Sequence, residues 1–264
     1  MRVELLIIDP QNDFCKPGGA LYVPNAETDI DRLSKMVKRL GKKIDAIHVT
    51  LDSHHYIDIA HPSWWRNSNG DEPTPFTIIS SKDMENGIWT TKQPGLFKRT
   101  LQYLKDLEGS NRYPLCIWPP HCLIGSEGNC VAPTLFQELL NWENNFRMVN
   151  YVTKGSNPYT EHYSAVQAEV PDPNDPTTQV NAELIQRLMQ ADVLAVAGEA
   201  GSHCVANTVR DIAATSGSND ILKKVVILED AMSPVPGFEQ NQADFFAEMK
   251  AAGAQFSTTT DFLK

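Results

Sequence analysis

Positive charge, long apolar runs and paired cysteines are all scarce in this sequence. Its 264 residues carry 23 Lys and Arg against 33 Asp and Glu, a formal net charge of −10. Binding to nucleic acid or an anionic membrane draws on clustered Lys and Arg, so neither partner is expected. No apolar stretch approaches the roughly 20 residues needed to span a bilayer. The opening "MRVELLIIDPQNDF" has a short apolar part, reaches Asp9 at once and shows no small-residue cleavage site. It reads as the first strand of a cytoplasmic protein. The five cysteines are an odd number without metal-knuckle spacing, as expected of free thiols in a reducing compartment. Internal repeats and low-complexity tracts are missing too, and no G-x-G-x-x-G opens the first helix, which argues against dinucleotide binding.

What is present is a strand–helix alternation. Hydrophobic residues make up 41% of the chain and charged residues 21%, enough to bury a full core. Six short apolar runs read as buried strands: 3–9, 45–51, 115–118, 147–153, 192–198 and 224–230. Helix-period segments lie between them at about 28–41, 132–144, 179–190, 204–215 and 239–252. In the first, Ile30, Leu33, Met36, Val37 and Leu40 form one apolar stripe that ends at Gly41. The pattern predicts one α/β domain over 1–264, with a mostly parallel six-stranded sheet covered by helices on both faces. Residues 62–113, rich in Pro, Gly and Trp with one helix near 95–107, read as a loop-rich insertion or lid.

Sheets of this kind bind ligands beyond the carboxyl ends of their strands. Asp9, Asp52, Trp118, Lys154 and the turn Gly198–Cys204 all fall at such ends. In "GEAGSHCV" a strand breaks into a helix at glycines, placing Cys204 on the first helical turn. There the macrodipole favours a thiolate, and backbone N–H groups lack intrahelical partners. The bland alternative is a small buried packing residue. Asp9 ends an apolar strand, so burial raises its pKa and suits it to accept a thiol proton; otherwise it caps a turn. Lys154 is either a solvated lysine or the cation that steadies Asp9. In "TLDSHHYIDIAHPSWW", Asp52 and His54 are two apart and share one side of an extended segment. With His121 of "WPPHC" they suit zinc, iron or manganese, His55 and His61 being spare histidines.

Taken in order, "IDPQNDFC", "DSHH", "WPPHC", "TKG" and "GEAGSHCV" resemble the nicotinamidase/pyrazinamidase branch of the isochorismatase-like cysteine hydrolases. The resemblance spans most of the chain. It implies a three-layer, Rossmann-like α/β fold and an Asp–Lys–Cys triad, here Asp9, Lys154 and Cys204. It further implies an oxyanion hole at the N–H groups of Ala200 and Cys204, next to a cis Glu199–Ala200 peptide. A divalent metal, zinc first among the candidates with Fe2+ or Mn2+ as alternatives, would sit on Asp52, His54 and His121. Phe14 and Trp118, with Tyr163 nearby, would hold a flat ring. The implied reaction is hydrolysis of nicotinamide to nicotinate and ammonia through a thioester, a step of NAD salvage; a homo-oligomer is compatible with it. Other small carboxamides, a vinyl-ether hydrolase and an inactive binding module are the rival readings. The sequence departs from relatives at Gly201 and Ser202, where Thr-Asp is frequent, at His55, where proline is frequent, and in the length of 62–113. Two further expectations follow: an alkylating reagent labels Cys204 before Cys15, Cys116, Cys122 or Cys130, and Trp64 or Trp65 either covers the bound ring or packs the insertion.

Overall fold

The computed structural model describes residues 1–110, 112–216 and 219–264. Its central sheet holds β1 (Val3–Ile8), β2 (Ala46–Asp52), β3 (Asn150–Lys154), β4 (Val193–Gly198), β5 (Val225–Leu228) and β6 (Gln255–Ser257). All neighbours are parallel, in the order β6-β5-β4-β1-β2-β3. Every residue of β1 is buried, as a strand at the middle of a doubly covered sheet must be. The helices are α1 (Ala26–Leu40), α2 (Phe97–Ser110), α3 (Pro133–Glu143), α4 (Ala182–Leu188), α5 (Cys204–Thr215) and α6 (Glu239–Ala251). They cover the sheet as a three-layer α/β fold. The chain steps from β1 through β2 to β3, then returns past β1 to β4 and runs the other way. Right-handed crossovers therefore place the helices of the two halves on opposite faces. The reversal lies between β1 and β4, the kind of switch point at which such sheets open a crevice.

The sheet has the expected six strands, but one is not among the six expected runs. Leu115–Cys116 pairs antiparallel with Ile78–Ile79 in a separate two-stranded ribbon. A run of four apolar residues between Pro114 and Pro119 suits a short ribbon as well as a central strand. The sixth central strand is β6, a three-residue, half-exposed edge strand with no apolar run to announce it. The 62–113 segment is also more ordered than its composition indicates. It contains α2, a short helix at Ser81–Glu85 and a second ribbon joining Trp65–Arg66 to Thr90–Thr91. Residue 111 of that segment lies outside the described residues. No helix of the described residues is long and apolar enough to cross a membrane.

Candidate active site

Strand register brings the polar side chains together. Asp52 and Lys154, the last residues of β2 and β3, are register partners. Asp9 directly follows β1, whose final residue pairs with Gly198 of β4. Asp9 adopts φ +43°, a sparsely populated backbone region for a residue with a side chain. Thr50 holds it there: its hydroxyl accepts from the Asp9 N–H at 3.0 Å and donates to Oδ1 at 2.5 Å. Two glycines make the approach possible. A Cβ on Gly198 would lie 2.0 Å from the Ile8 carbonyl oxygen, and one on Gly155 would lie 2.7 Å from Asp52 Oδ1.

At the centre is Lys154. Its ammonium lies 2.9 Å from Asp9 Oδ2 and 3.1 Å from Asp52 Oδ1. It donates to the His162 carbonyl at 2.9 Å and reaches Cys204 Sγ at 3.6 Å. Burial opposes its charge, yet Asp52 and Asp9 hold it protonated, well above the usual lysine range. Burial raises the Asp9 carboxyl, against the pull of Lys154 and the Thr50 hydroxyl. Cys204 opens α5 as expected, but its thiol is pushed up, first by burial and then by the Asp9 and Asp52 carboxylates despite Lys154. The helix start does not produce a resting thiolate. The arrangement is instead a protonated thiol and a carboxylate of raised basicity, both within reach of the Lys154 ammonium.

The turn before Cys204 contains a cis peptide between Glu199 and Ala200. Among the described residues, neither the Ala200 nor the Cys204 N–H has a backbone acceptor. The Ala200 carbonyl accepts from His203 and Val205, which fixes the turn at the head of the helix. Two free donors beside a thiol are what a carbonyl oxygen gaining charge requires.

A second cluster adjoins Lys154 through Asp52. One ligand atom from each of Asp52, His54 and His121 lies within 4.8 Å of the others. His54 Nδ1 meets Asp58 Oδ2 at 3.1 Å, and His121 Nδ1 meets the Pro119 carbonyl at 2.9 Å. Both acceptors call for a proton on Nδ1, which leaves each Nε2 with a bare lone pair. Those lone pairs face Asp52 Oδ2 at 3.1 and 3.4 Å. Such an arrangement repels itself unless a cation lies among the three atoms, so the residues fit a divalent metal. Burial opposes a charge on His54, yet Asp52 and Asp58 raise its pKa well above the usual range; proton and metal compete for one lone pair. Of the spare histidines, His55 is exposed, whereas His61 is fully buried. The His61 ring lies 5.2 Å from that of His54 and 5.6 Å from that of His121. Burial lowers the His61 pKa to about 4, and its Nε2 has no hydrogen-bond partner.

Both clusters open on a narrow cleft whose walls include Phe14, Asp52, Trp118, His121, Tyr163 and Cys204. The Trp118 indole N–H donates to the Tyr163 hydroxyl at 3.2 Å, and Phe14 meets His121 edge-on at 5.4 Å. The insertion supplies part of the surroundings. Phe76 packs edge-on against Trp118 at 5.8 Å, and Tyr113 packs against Tyr163 and His203. Trp64 and Trp65 do not line the cleft. Trp65 is fully buried and donates to the Ile59 carbonyl at 2.7 Å; Trp64 meets Tyr159 edge-on. They pack the insertion. Thr50, Asp58, Glu161 and His203 also belong to the site and escape sequence reasoning. Thr50 alone had a usable signal, lying on the same face of β2 as Asp52.

No family model matches the sequence. The chain is similar to the nicotinamidase of Escherichia coli K12, at 28% identity over 258 residues that cover 98% of this chain and 95% of that protein. Among solved structures it is similar to the yeast nicotinamidase bound to the inhibitor nicotinaldehyde. The TM-score is 0.67 at 20% identity, over 97% of this chain and 99% of the other. The zinc complex of Pyrococcus horikoshii pyrazinamidase gives 0.58 at 19% identity, over 98% and 99%. These structures share the fold, and the sequence likeness to a nicotinamidase runs nearly end to end, which supports a place in the nicotinamidase/pyrazinamidase family of isochorismatase-like hydrolases.

Proposed function

We propose that the chain hydrolyses nicotinamide to nicotinate and ammonia, with Cys204 as nucleophile, Asp9 as proton shuttle and Lys154 as the cation between them. The observation that carries this reading is the single ammonium of Lys154 in reach of Asp9, Asp52 and Cys204 at once. Asp9 takes the Cys204 proton as the sulfur attacks the carboxamide carbon. The oxygen that gains charge is received by the Ala200 and Cys204 N–H groups. Asp9 then gives its proton to the departing ammonia and activates the water that cleaves the thioester. Lys154 balances Asp9 while the proton is away. Phe14 and Trp118, steadied by Tyr163, hold the flat ring.

Asp52, His54 and His121 would hold the metal, with His61 as a fourth donor close by. Zinc suits this carboxylate and imidazole set, and iron or manganese suits it less closely. Bound there, the metal supplies a Lewis-acid anchor for the pyridine nitrogen. Residues 62–113 act as a lid through Phe76 and Tyr113 rather than through the two tryptophans. All five cysteines are free, which supports a reducing, cytoplasmic setting.

The test is ammonia release from a panel of amides that includes nicotinamide, pyrazinamide and small aliphatic amides. Nicotinamide is expected to give the highest kcat/KM. A preference for an aliphatic amide would transfer the reading to another small carboxamide, and no release from any member would remove it.

A further inference from the structure

Beside the oxyanion turn, two buried carboxyl groups converge on one residue, Ser233. The Glu199 side chain is fully buried, and that of Asp29 on α1 is 4% exposed. Glu199 immediately precedes Ala200, so its backbone is part of the turn itself. Asp29 is already engaged: Oδ1 lies 3.1 Å from Arg32, and Oδ2 accepts from the Ser233 hydroxyl at 2.5 Å. Glu199 Oε2 accepts from the Ser233 N–H at 3.1 Å. Ser233 bridges the two carboxyls, and the unpartnered Oε1 is the atom free to share a proton with Asp29.

Ser233 thus has its N–H held by one carboxyl and its hydroxyl by the other. Its carbonyl accepts from Gly201 N–H at 2.9 Å, which ties the same residue to the oxyanion turn. Two residues on, Val235 lines the substrate cleft, and its N–H donates to Ser202 Oγ at 3.0 Å. Phe238 packs at 4.6 Å against His203, which lines the cleft next to Cys204. One small segment after β5 therefore connects the buried pair, the oxyanion turn and the wall of the cleft.

We propose that Glu199 is a positioning residue: with Asp29 it forms a one-proton clamp that fixes the Ser233–Val235 segment against the oxyanion turn. The clamp is closed while the pair keeps its shared proton, because a carboxylic acid bonded to a carboxylate satisfies both. Losing that proton leaves two buried negative charges converging on Ser233, with Arg32 as the nearest cation. The other groups around the pair are Glu27 on α1, Asp230 beyond β5 and the buried thiol of Cys15. Glu27 and Asp230 are acidic and oppose the second ionisation further. Burial and the neighbouring Asp29 carboxylate raise Glu199 well above the usual glutamate range, so the clamp opens only as pH rises into the alkaline range.

The proposal rests on the amidase reading, and one of its tests is independent of turnover. At neutral pH, the infrared difference spectrum between the wild-type protein and Glu199→Gln is expected to show the C=O stretch of a buried carboxylic acid. Absence of that band would overturn the clamp whatever the enzyme hydrolyses. In the ammonia assay, Glu199→Gln should keep kcat within about twofold of wild type. Its amide can donate to Asp29 and accept from Ser233, and having no proton to lose it should extend the alkaline limb of kcat/KM to higher pH. Glu199→Leu, of similar size but unable to bond, should lower kcat tenfold or more with metal content unchanged. Wild-type kcat and KM in the leucine variant, or superimposable alkaline limbs for wild type and glutamine variant, would overturn it. Should the leucine variant fail to fold, Ser233→Ala removes a single hydroxyl donor; a several-fold lower kcat is expected, and an unchanged kcat would overturn the clamp. Wild-type protein that releases no ammonia from any amide removes the amidase reading alone, and the infrared band still decides the clamp.

Discussion

Lys154 lies 2.9 Å from Asp9 and 3.1 Å from Asp52, so one buried cation balances the carboxylate beside Cys204 and the carboxylate of the histidine cluster together. Lys154→Met keeps the length of the side chain and leaves both carboxylates without their partner. Uncovering a buried charge costs about 3–5 kcal/mol, and that loss is expected in chemical denaturation at pH 8. It should shrink as pH falls, because Asp9 can then take up a proton instead of remaining a bare charge. Turnover should drop at least a thousandfold. A variant as stable as wild type at pH 8 would show that solvent, not Lys154, compensates these carboxylates.

Thiol reactivity separates the structure from the sequence expectation. Cys130 is the exposed cysteine, whereas Cys204 is buried beside two carboxylates that hold its proton on. Limited alkylation at neutral pH should therefore label Cys130 first, with Cys204 reacting slowly, and peptide mapping would read the order. Cys204→Ala should nonetheless abolish ammonia release, and Cys130→Ala should not. The acid limb of kcat/KM carries the matching signature. In the proposed mechanism Asp9 must be ionised to accept the thiol proton, so activity is expected to fall as pH drops through its raised pKa, at a higher pH than an ordinary aspartate would set.

The sequence was most informative where chemistry and strand ends coincide. Asp9, Asp52 and Lys154 each close or directly follow an apolar run, and parallel strands necessarily bring such ends to one edge. What escaped was contact made across the chain. Asp58 is four residues from His54, but nothing in that spacing says that its carboxylate faces Nδ1. Glu161 and His203 enter the cleft because loops fold over it, and loop paths carry no periodicity. The 115–118 run was misplaced for a related reason: four apolar residues specify burial and not the partner strand. β6 was lost because an edge strand of three residues needs little hydrophobicity.

The histidine cluster can be tested from its outer side. Asp58 fixes the tautomer of His54 through the 3.1 Å contact to Nδ1 and touches neither His121 nor Asp52 in the described bonds. Removing an outer partner of this type typically weakens metal binding 10- to 100-fold. Asp58→Ala is expected to lower zinc affinity by about that range in a competition titration against a chelator. His61→Ala should also lower it, and His55→Ala should leave it unchanged, because His55 is exposed. Equal affinity for the Asp58 variant and wild type would mean that His54 is oriented by packing alone.

Of the four tryptophans near the insertion and the cleft, Trp64, Trp65, Trp89 and Trp118, only Trp118 lines the cleft. Trp65 is fully buried with its indole N–H bonded to Ile59, and Trp64 is buried against Tyr159 with its N–H 3.3 Å from the Thr100 hydroxyl. Truncating either creates a large cavity and orphans a buried carbonyl or hydroxyl. Trp65→Ala should cost about 3–5 kcal/mol in chemical denaturation, with KM for nicotinamide close to wild type in the protein that remains folded. Trp118→Ala should behave the other way round for substrate: loss of ring contact worth roughly 1 kcal/mol raises KM for an aromatic amide about fivefold. A small aliphatic amide, which presents no ring, should be spared. If Trp65→Ala raised KM while stability held, the insertion would be reaching the substrate through Trp65 and not only through Phe76 and Tyr113.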